Sequence, residues 1–415
     1  MKAIVDTVTK NIKLKVKRNH IDNLAFKLHY RVTMLLLFIL TVLVTSQELI
    51  GEHIKCLVGS GVNERVINTF CFFTTTFTVI KYLNTSFTDS HYIPHPGVGS
   101  MGVNSDEPII HHAYYQWVPF VLFLQAITFY IPHLIWKRKE AGRIKKLVNG
   151  LEFAVCAVDN KIKLDKYELP TKTDIKKKFE ELNIMFKDRL IVNKSWATWL
   201  ITCEVLNLIN VILQIWLTDV FLGGKFLSLG PKVIEVGMDE VWILDQVFPK
   251  MTKCNFYKYG ASGTIQAHDA LCVMALNIIN EKIFTFLWFW FMFLLVVSAF
   301  ALLWRLVTAV FHGKNRRFNQ IIYSTITPGK SNPWKVLEVT NKCDYLDWLF
   351  LGYISKNMDP LVFKIFIVQL AKNLSQIDDN TISAESYEKG MDSLKPNYFN
   401  EQNFGSIDKI DEIFK

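Results

Sequence analysis

Charge-free apolar runs alternate along this chain with segments as polar as those of a soluble protein. The clearest run is Ile283–Trp304, IFTFLWFWFMFLLVVSAFALLW, bracketed by Lys282 and Arg305. A helix that crosses a bilayer needs roughly 20 apolar residues, and this segment supplies them without a break. Tyr114–Trp136 is a second such run, inside a longer stretch from Pro108 that lacks Asp, Glu, Lys and Arg. Ser195–Thr218 is a third and carries one acid, Glu204. Val32–Gln47 is uncharged between Arg31 and Glu48, and it reaches full length if Leu49 and Ile50 continue the helix with Glu48 at the interface. A further apolar region, Leu346–Ala371, is divided by Asp347, Lys356, Asp359 and Lys364 into pieces that suit buried helices outside the bilayer. Asp359–Pro360 reads there as an N-cap followed by a first-turn proline. The pattern predicts four spans and an all-α polytopic membrane protein.

These spans divide the chain into an N-terminal segment 1–31, a first span 32–50, a loop 51–113, a second span 114–136, a loop 137–194, a third span 195–218, a loop 219–282, a fourth span 283–304 and a C-terminal region 305–415. Lysine and arginine in the flanking segments set the orientation. Residues 137–195 hold sixteen basic against nine acidic residues, whereas 51–113 hold three against five and 223–281 hold five against six. Residues 1–31 add eight basic positions. The basic side is predicted to be cytoplasmic, with both termini and the middle loop there. No cleavable leader is expected, because residues 1–31 are too basic and contain no apolar run.

Composition changes this picture little. With 31 Phe and 11 Trp in 415 residues, disorder is excluded as the main state. The net charge of +9 is mostly the topology signal just described, so no nucleic-acid partner is expected. A basic surface facing anionic membrane lipid would look the same.

The seven cysteines sort by loop: Cys56 and Cys71 in the first outer loop, Cys254 and Cys272 in the second, and Cys156, Cys203 and Cys343 inside the cell or in the membrane. Disulfides persist in the oxidising compartment, and the four outer cysteines leave three possible pairings open. Pairing between loops would tie both into one rigid cap, and pairing within each would only stabilise two long loops. There is no CxxC and no HExxH, so no metal site is expected. Gly97-Val98-Gly99-Ser100-Met101-Gly102 matches the dinucleotide string GxGxxG, but that chemistry needs a strand before it and a helix after it. Here it follows YIPHP and leads into VNSDEP, which reads as a turn-rich loop. No nucleophile–base arrangement stands out, and neither enzyme activity nor a cofactor is expected. Asn84-Thr85-Ser86 is a glycosylation sequon on the predicted outer side, while the sequons at Asn193 and Asn373 fall inside and should stay bare.

At Tyr114-Tyr115-Gln116-Trp117-Val118 the sequence resembles the innexins, the invertebrate gap-junction proteins, whose signature YYQWV opens the second span. The resemblance runs from about Asp22 to Pro360, through IDN, IGEHIKC, VINTFC and PGVG, then VFPKMTKC, SGTIQAHDALC and LNIINEKIFTFLWFW. The long inner loop and CFFTTTFTV are most similar to the insect innexin-seven type. The resemblance implies a homo-oligomer, octameric in each plasma membrane, that docks head to head with an innexin hemichannel on the apposed cell, alone or together with other innexins. Such channels pass ions and small metabolites, and undocked hemichannels open too. It also implies that Cys56 joins Cys272 and Cys71 joins Cys254, and that the N-terminal segment folds into the pore mouth.

Several residues carry expectations of their own. Tyr114, Tyr115 and Trp117 are placed at the outer headgroup level, where amphipathic rings anchor a helix. Pro119 and Pro132 are each expected to kink the second span. Glu204 is expensive in lipid and should face the bundle interior, paired with a neighbouring helix rather than lining the pore. Ile4, Val8 and Ile12 share one helical face, with Lys2, Lys10 and Lys13 elsewhere. Met1, Lys2 and Ile4 are the pore-lining candidates, and a ring of Lys2 would disfavour cations. The same lysines would also suit a helix lying on anionic lipid. In the middle loop, Ile175, Phe179, Leu182, Phe186 and Leu190 form an apolar stripe over Thr173–Ile191, with Asp174 near its start. Leu346–Leu351 and Leu361–Leu370 can cover that stripe, giving a helical cytoplasmic dome. The alternative function is a four-helix junction or adhesion protein without a pore.

Overall fold

The computed structural model describes residues 21–371 apart from 52, 60, 84–95, 100–106, 149–162, 165–166, 169–170, 172, 175, 179, 182–189, 237–240, 313–314, 327–338, 340–342, 359–362, 365 and 369. Among the described residues, four helices are long and apolar enough to cross a membrane: α1 (Leu24–Ile50), α3 (Val118–Glu140, entered through a tighter turn at Tyr114–Trp117), α5 (Leu190–Phe221) and α8 (Ala275–Phe311). α1 packs on α3, α3 on α5, α5 on α8, and α8 returns to α1, closing a ring of four. Leu37, Leu122, Phe129, Val211, Phe284 and Phe291 fill its centre, while Ile39, Phe120, Trp216 and Phe300 lie exposed on its flanks. A large exposed apolar surface of this kind requires lipid or a neighbouring subunit against it.

α8 is longer at both ends than the charge-free run from which it is predicted, starting at Ala275 and ending at Phe311. Hydropathy stops where charge begins, but a helix does not: Asn277, Asn280 and Glu281 are buried against the rest of the fold and extend it. α1 starts on Asn23, whose side chain accepts the Phe26 N–H at 2.7 Å, a standard N-cap. One wide π-helical turn follows at Leu28–Thr33, where the Thr33 hydroxyl donates to the Leu28 carbonyl at 3.0 Å. A turn of this kind shifts the side chains that follow it. Here Thr33 accepts the Trp290 indole N–H at 3.0 Å, and His29 lies 2.7 Å from the Ser298 hydroxyl, both on α8.

At one end of the ring the two long loops build a sheet that the all-helical expectation did not include. Its strands are β1 (Lys55–Val58), β2 (Thr76–Val79), β3 (Ile109–His112), β6 (Met251–Tyr259) and β7 (Ile265–Val273), antiparallel in the order β1-β7-β6-β2-β3. β4 (Lys163–Leu164) and β5 (Tyr167–Glu168) form a separate short pair. Helix α2 (Glu64–Phe73) packs on β1 and β6. After α5 come α6 (Phe226–Val236) and α7 (Val241–Val247), which lead into β6. β6 and β7 turn at Gly260–Gly263, where Gly263 has a positive φ of 81° and the Gly260 N–H reaches the Thr264 carbonyl at 2.8 Å.

At the opposite end, α4 (Arg143–Val148), α9 (Arg316–Ile326) and α10 (Tyr345–Asn357) gather with the chain around 363–371. Trp136, Ile144, Trp196, Leu200, Phe350 and Phe366 are among the buried residues of their shared core. The apolar stripe expected to fill this core has Ile175, Phe179, Leu182 and Phe186 outside the described residues. α3 ends on Ala141 in the left-handed conformation (φ 49°), and the Glu140 carboxylate then accepts the N–H groups of Gly142 and Ile144 at 2.7 and 3.1 Å, starting α4.

Candidate functional site

Three groups of residues join the elements into a working unit: the cap, the start of the second span, and a charged node at the far end. In the cap, β1 and β7 set Cys56 directly opposite Cys272, and the two are bonded. α2 brings Cys71 to Cys254 on β6, and these are bonded too. Both bonds therefore run between the two loops and lock them into one body. The Cys56 N–H is held by the Asn68 side chain at 2.9 Å. The sulfurs of Cys56, Cys71 and Cys272 lie within 4.8 Å of one another, but each is in a disulfide, so no thiolate is left to ligate a metal.

The YYQWV segment is the joint between cap and ring. The Tyr115 hydroxyl donates to the Phe72 carbonyl at the end of α2 at 3.2 Å, and the Gln116 amide donates to the same carbonyl. Tyr114 donates to the Asn277 side chain at 3.0 Å, and Asn277 in turn donates to the Pro249 carbonyl at 2.8 Å. The anchoring role expected of all three aromatics thus fits Trp117 alone, which is 61% exposed; Tyr115 is 1% exposed and belongs to the cap core. Val118 is fully buried. Pro119 sits in the first turn of α3, where its missing N–H leaves no bond unmade, so it starts the helix instead of bending it. Pro132 does lie inside α3 and is buried.

Beside this joint, Lys250 reaches Asp245 at 2.9 Å and Glu281 at 3.0 Å, and Lys282 adds a second ammonium to Glu281 at 2.8 Å. Burial works against the Lys250 ammonium, but the two carboxylates outweigh it and its pKa is raised. His112 on β3 is buried against Thr78, with 2.8 Å between Nε2 and the hydroxyl. Burial, and then Lys225 and His111, push its pKa down to about 4, so it is neutral at physiological pH.

At the far end Glu204 on α5 takes two bonds from Arg305 on α8, at 2.8 Å from Nε and 2.7 Å from Nη2. Asn23 donates to the same carboxylate at 2.6 Å, and Arg305 donates onward to the Tyr353 hydroxyl on α10 at 2.8 Å. Asp22, one residue earlier, accepts from Tyr30 at 3.0 Å and from Trp136 at 3.1 Å. One buried carboxylate therefore joins the entry to α1, the third and fourth spans and the C-terminal helix. Glu204 is 5% exposed and is paired inside the bundle.

The same face of α5 continues the polar line through Asn207, Asn210, Gln214 and Thr218. Gln125 donates to Thr218 at 2.8 Å, and Gln214 donates to Thr128 at 2.9 Å, tying α5 to α3. These residues are absent from the expectations drawn from the sequence. Their spacing of three and four from Glu204 was the available signal, since it places every one on a single helical face. Met1, Lys2, Ile4 and the sequon at Asn84 fall outside the described residues. Gly97, from the dinucleotide-like string, bonds Val79 and Tyr82 through its backbone as a turn against β2, and residues 100–106, which follow it, lie outside the described residues.

A closed ring of four membrane-length helices, two loops welded into one sheet at one end and a helical assembly at the other define a four-span membrane protein with a rigid cap. The family model described as Innexin matches residues 22–374, and the chain belongs to the innexin family, whose members form gap-junction channels between cells. It is 45% identical over 383 residues to Innexin inx7 of Drosophila melanogaster, covering 91% of this chain and 86% of that protein. It is 40% identical over 366 residues to Innexin inx2 of Schistocerca americana, covering 87% and 95%, and 33% identical over 378 residues to Innexin shaking-B of Drosophila melanogaster, covering 88% and 94%.

Proposed function

We propose that this chain is one subunit of an octameric channel whose disulfide-locked cap faces the extracellular gap and docks head to head on a matching hemichannel of the next cell. The observation that carries this reading is the cap itself: two loops far apart in sequence are bonded into one sheet, which gives a docking surface a fixed shape. The charge of the loops supports the orientation, because the basic segments 1–31 and 137–195 then lie in the cytoplasm with both termini. In this reading the protein is a channel and not an enzyme. The spans lie at 32–50, 114–136, 195–218 and 283–304 within the longer helices. Met1, Lys2 and Ile4 line the cytoplasmic mouth of the pore, leading in from the anchored Asp22–Asn23 step. Ions and small metabolites pass through the docked channel, and an undocked hemichannel opens in single membranes.

Dual voltage clamp on paired cells that lack endogenous junctions, both expressing this chain, tests the proposal. Junctional current that disappears with Cys56→Ser supports it. Surface-expressed protein with neither junctional current nor uptake of large solutes by single cells would leave an adhesion protein without a pore.

A further inference from the structure

Where the charge-free run of α8 ends, at Trp304, a cleft of about 320 Å³ opens between α8, α9 and α10. Its walls are pinned from three sides. Arg305 holds Tyr353, the Thr308 hydroxyl lies 3.0 Å from that of Tyr345, and the Trp348 indole donates to Asn319 on α9 at 3.0 Å. Asn319 also donates to the His312 carbonyl at 2.6 Å, which fixes α9 against the end of α8. The cleft is thus a built feature and not a gap between loose helices.

Its chemistry is that of an amphiphile with an anionic head. Among the described residues the lining carries two cations, Arg305 and Lys356, and no carboxylate; the other lining residues are mainly aliphatic and aromatic. Arg305 is committed to Glu204 and Tyr353. Lys356 sits 5.4 Å from the centre of the Tyr353 ring and forms an ion pair with no acid among the described residues. Trp304 is 55% and Ile321 65% exposed, and on α8 Trp304 adjoins the exposed Phe300 and Leu303 of the membrane-length helix. An indole at the end of an apolar run marks the headgroup level, so the mouth opens at the bilayer surface.

We propose that this cleft binds one anionic phospholipid, its phosphate at Lys356 and its first chain segments against Trp304, Ile321 and Leu349. The volume lies at the lower end of small-ligand pockets and suits a headgroup with the start of a chain, the remaining tail staying in the bilayer. Because α10 also holds Arg305, the lipid would brace the helix that reaches the Glu204 node.

Gly352 supplies a clean test. It faces the cleft from α10, and a Cβ built on it meets nothing within 4 Å, so a larger side chain there enters the cleft without displacing backbone. The full-length channel in nanodiscs of phosphatidylcholine doped with a photoactivatable phosphatidic acid, its diazirine near the glycerol, is irradiated and digested. Labelled peptides should contain residues 304, 321–322 and 348–352. Labelling should fall at least fivefold with Gly352→Phe and with Lys356→Gln, and excess unlabelled phosphatidic acid should compete where phosphatidylcholine does not. If Gly352→Phe fails to assemble, Lys356→Gln alone decides. Equal competition by soluble glycerol 3-phosphate would show a free-phosphate site and overturn the lipid assignment. Label elsewhere, or unchanged by both variants, would also overturn it. So would a photoreactive residue at position 321 that crosslinks only to a second subunit, because the cleft would then be a subunit contact.

Discussion

Glu204 and Arg305 lie on different spans and meet in a two-pronged ion pair, with Asn23 and Tyr353 completing it from either end of the chain. Removing one partner from such a buried pair strands the other charge, at a cost of about 3–5 kcal/mol, whereas replacing both with apolar residues is often nearly neutral. Glu204→Ala should therefore abolish the assembled protein in size-exclusion profiles of detergent extracts. Glu204→Met combined with Arg305→Met should recover a substantial share of it. A double variant no better than the single one would mean that the Asn23 and Tyr353 bonds matter more than the charge balance.

The joint at the second span gives a sharper contrast. Tyr115→Phe keeps the ring but loses the bond to Phe72, and should lower stability by about 1 kcal/mol in a thermal melt. Trp117→Phe changes an exposed ring and should stay within about 0.5 kcal/mol.

In the cap, Cys56→Ser should free the thiol of Cys272 and leave Cys71–Cys254 intact, and Cys71→Ser should free Cys254. Maleimide labelling followed by peptide mapping reads this directly. Each lost bond should cost about 2–5 kcal/mol of cap stability.

Ala141 has a positive φ, which side chains other than glycine adopt at a cost. Ala141→Gly should stabilise the end of α3 by up to about 1 kcal/mol. The neighbouring Gly142→Ala should do the reverse, since Gly142 has a φ of 72°.

Asp347 carries a pH dependence. Burial pushes its carboxyl up to about 6, opposed by Lys194 and reinforced by Asp344. Between an unfolded value of about 3.9 and the folded value, the native state binds the extra proton, so this group's contribution is fully present below pH 4 and is lost as pH rises through 6. Asp347→Asn should raise the melting temperature at pH 7.5, by the equivalent of about 1–2 kcal/mol, and the gain should shrink towards pH 4.5. A gain of equal size at both pH values would point to packing rather than charge.

The spans were legible because lipid demands long uncharged runs, and the pairing of Glu204 followed from the cost of a lone charge in that setting. The sheet was not predicted, although MTKCNFYKY and IQAHDALCV flank a Gly-Ala-Ser-Gly turn. Thr252 and Cys254 do alternate as buried positions, but three short strands from the first loop and two longer ones from the second carry no local signal for how the two loops pair. Tyr114 and Tyr115 were misplaced for a related reason. Aromatic residues at a span's edge read as lipid anchors unless one knows that another loop folds over them. Register between distant segments is a tertiary property, and in the cap only the family resemblance supplied any of it.

The two disulfides close over 216 and 183 residues of chain. During synthesis, Cys56 and Cys71 therefore emerge long before either correct partner exists, separated from Cys254 and Cys272 by two further membrane crossings. For that interval the nearest available thiol to each is the other. Native pairing must wait for β6 and β7, the last pieces of the cap to be made. The cap is thus a late checkpoint: neither native bond can form before the second and third spans are in place and β6 and β7 have been made.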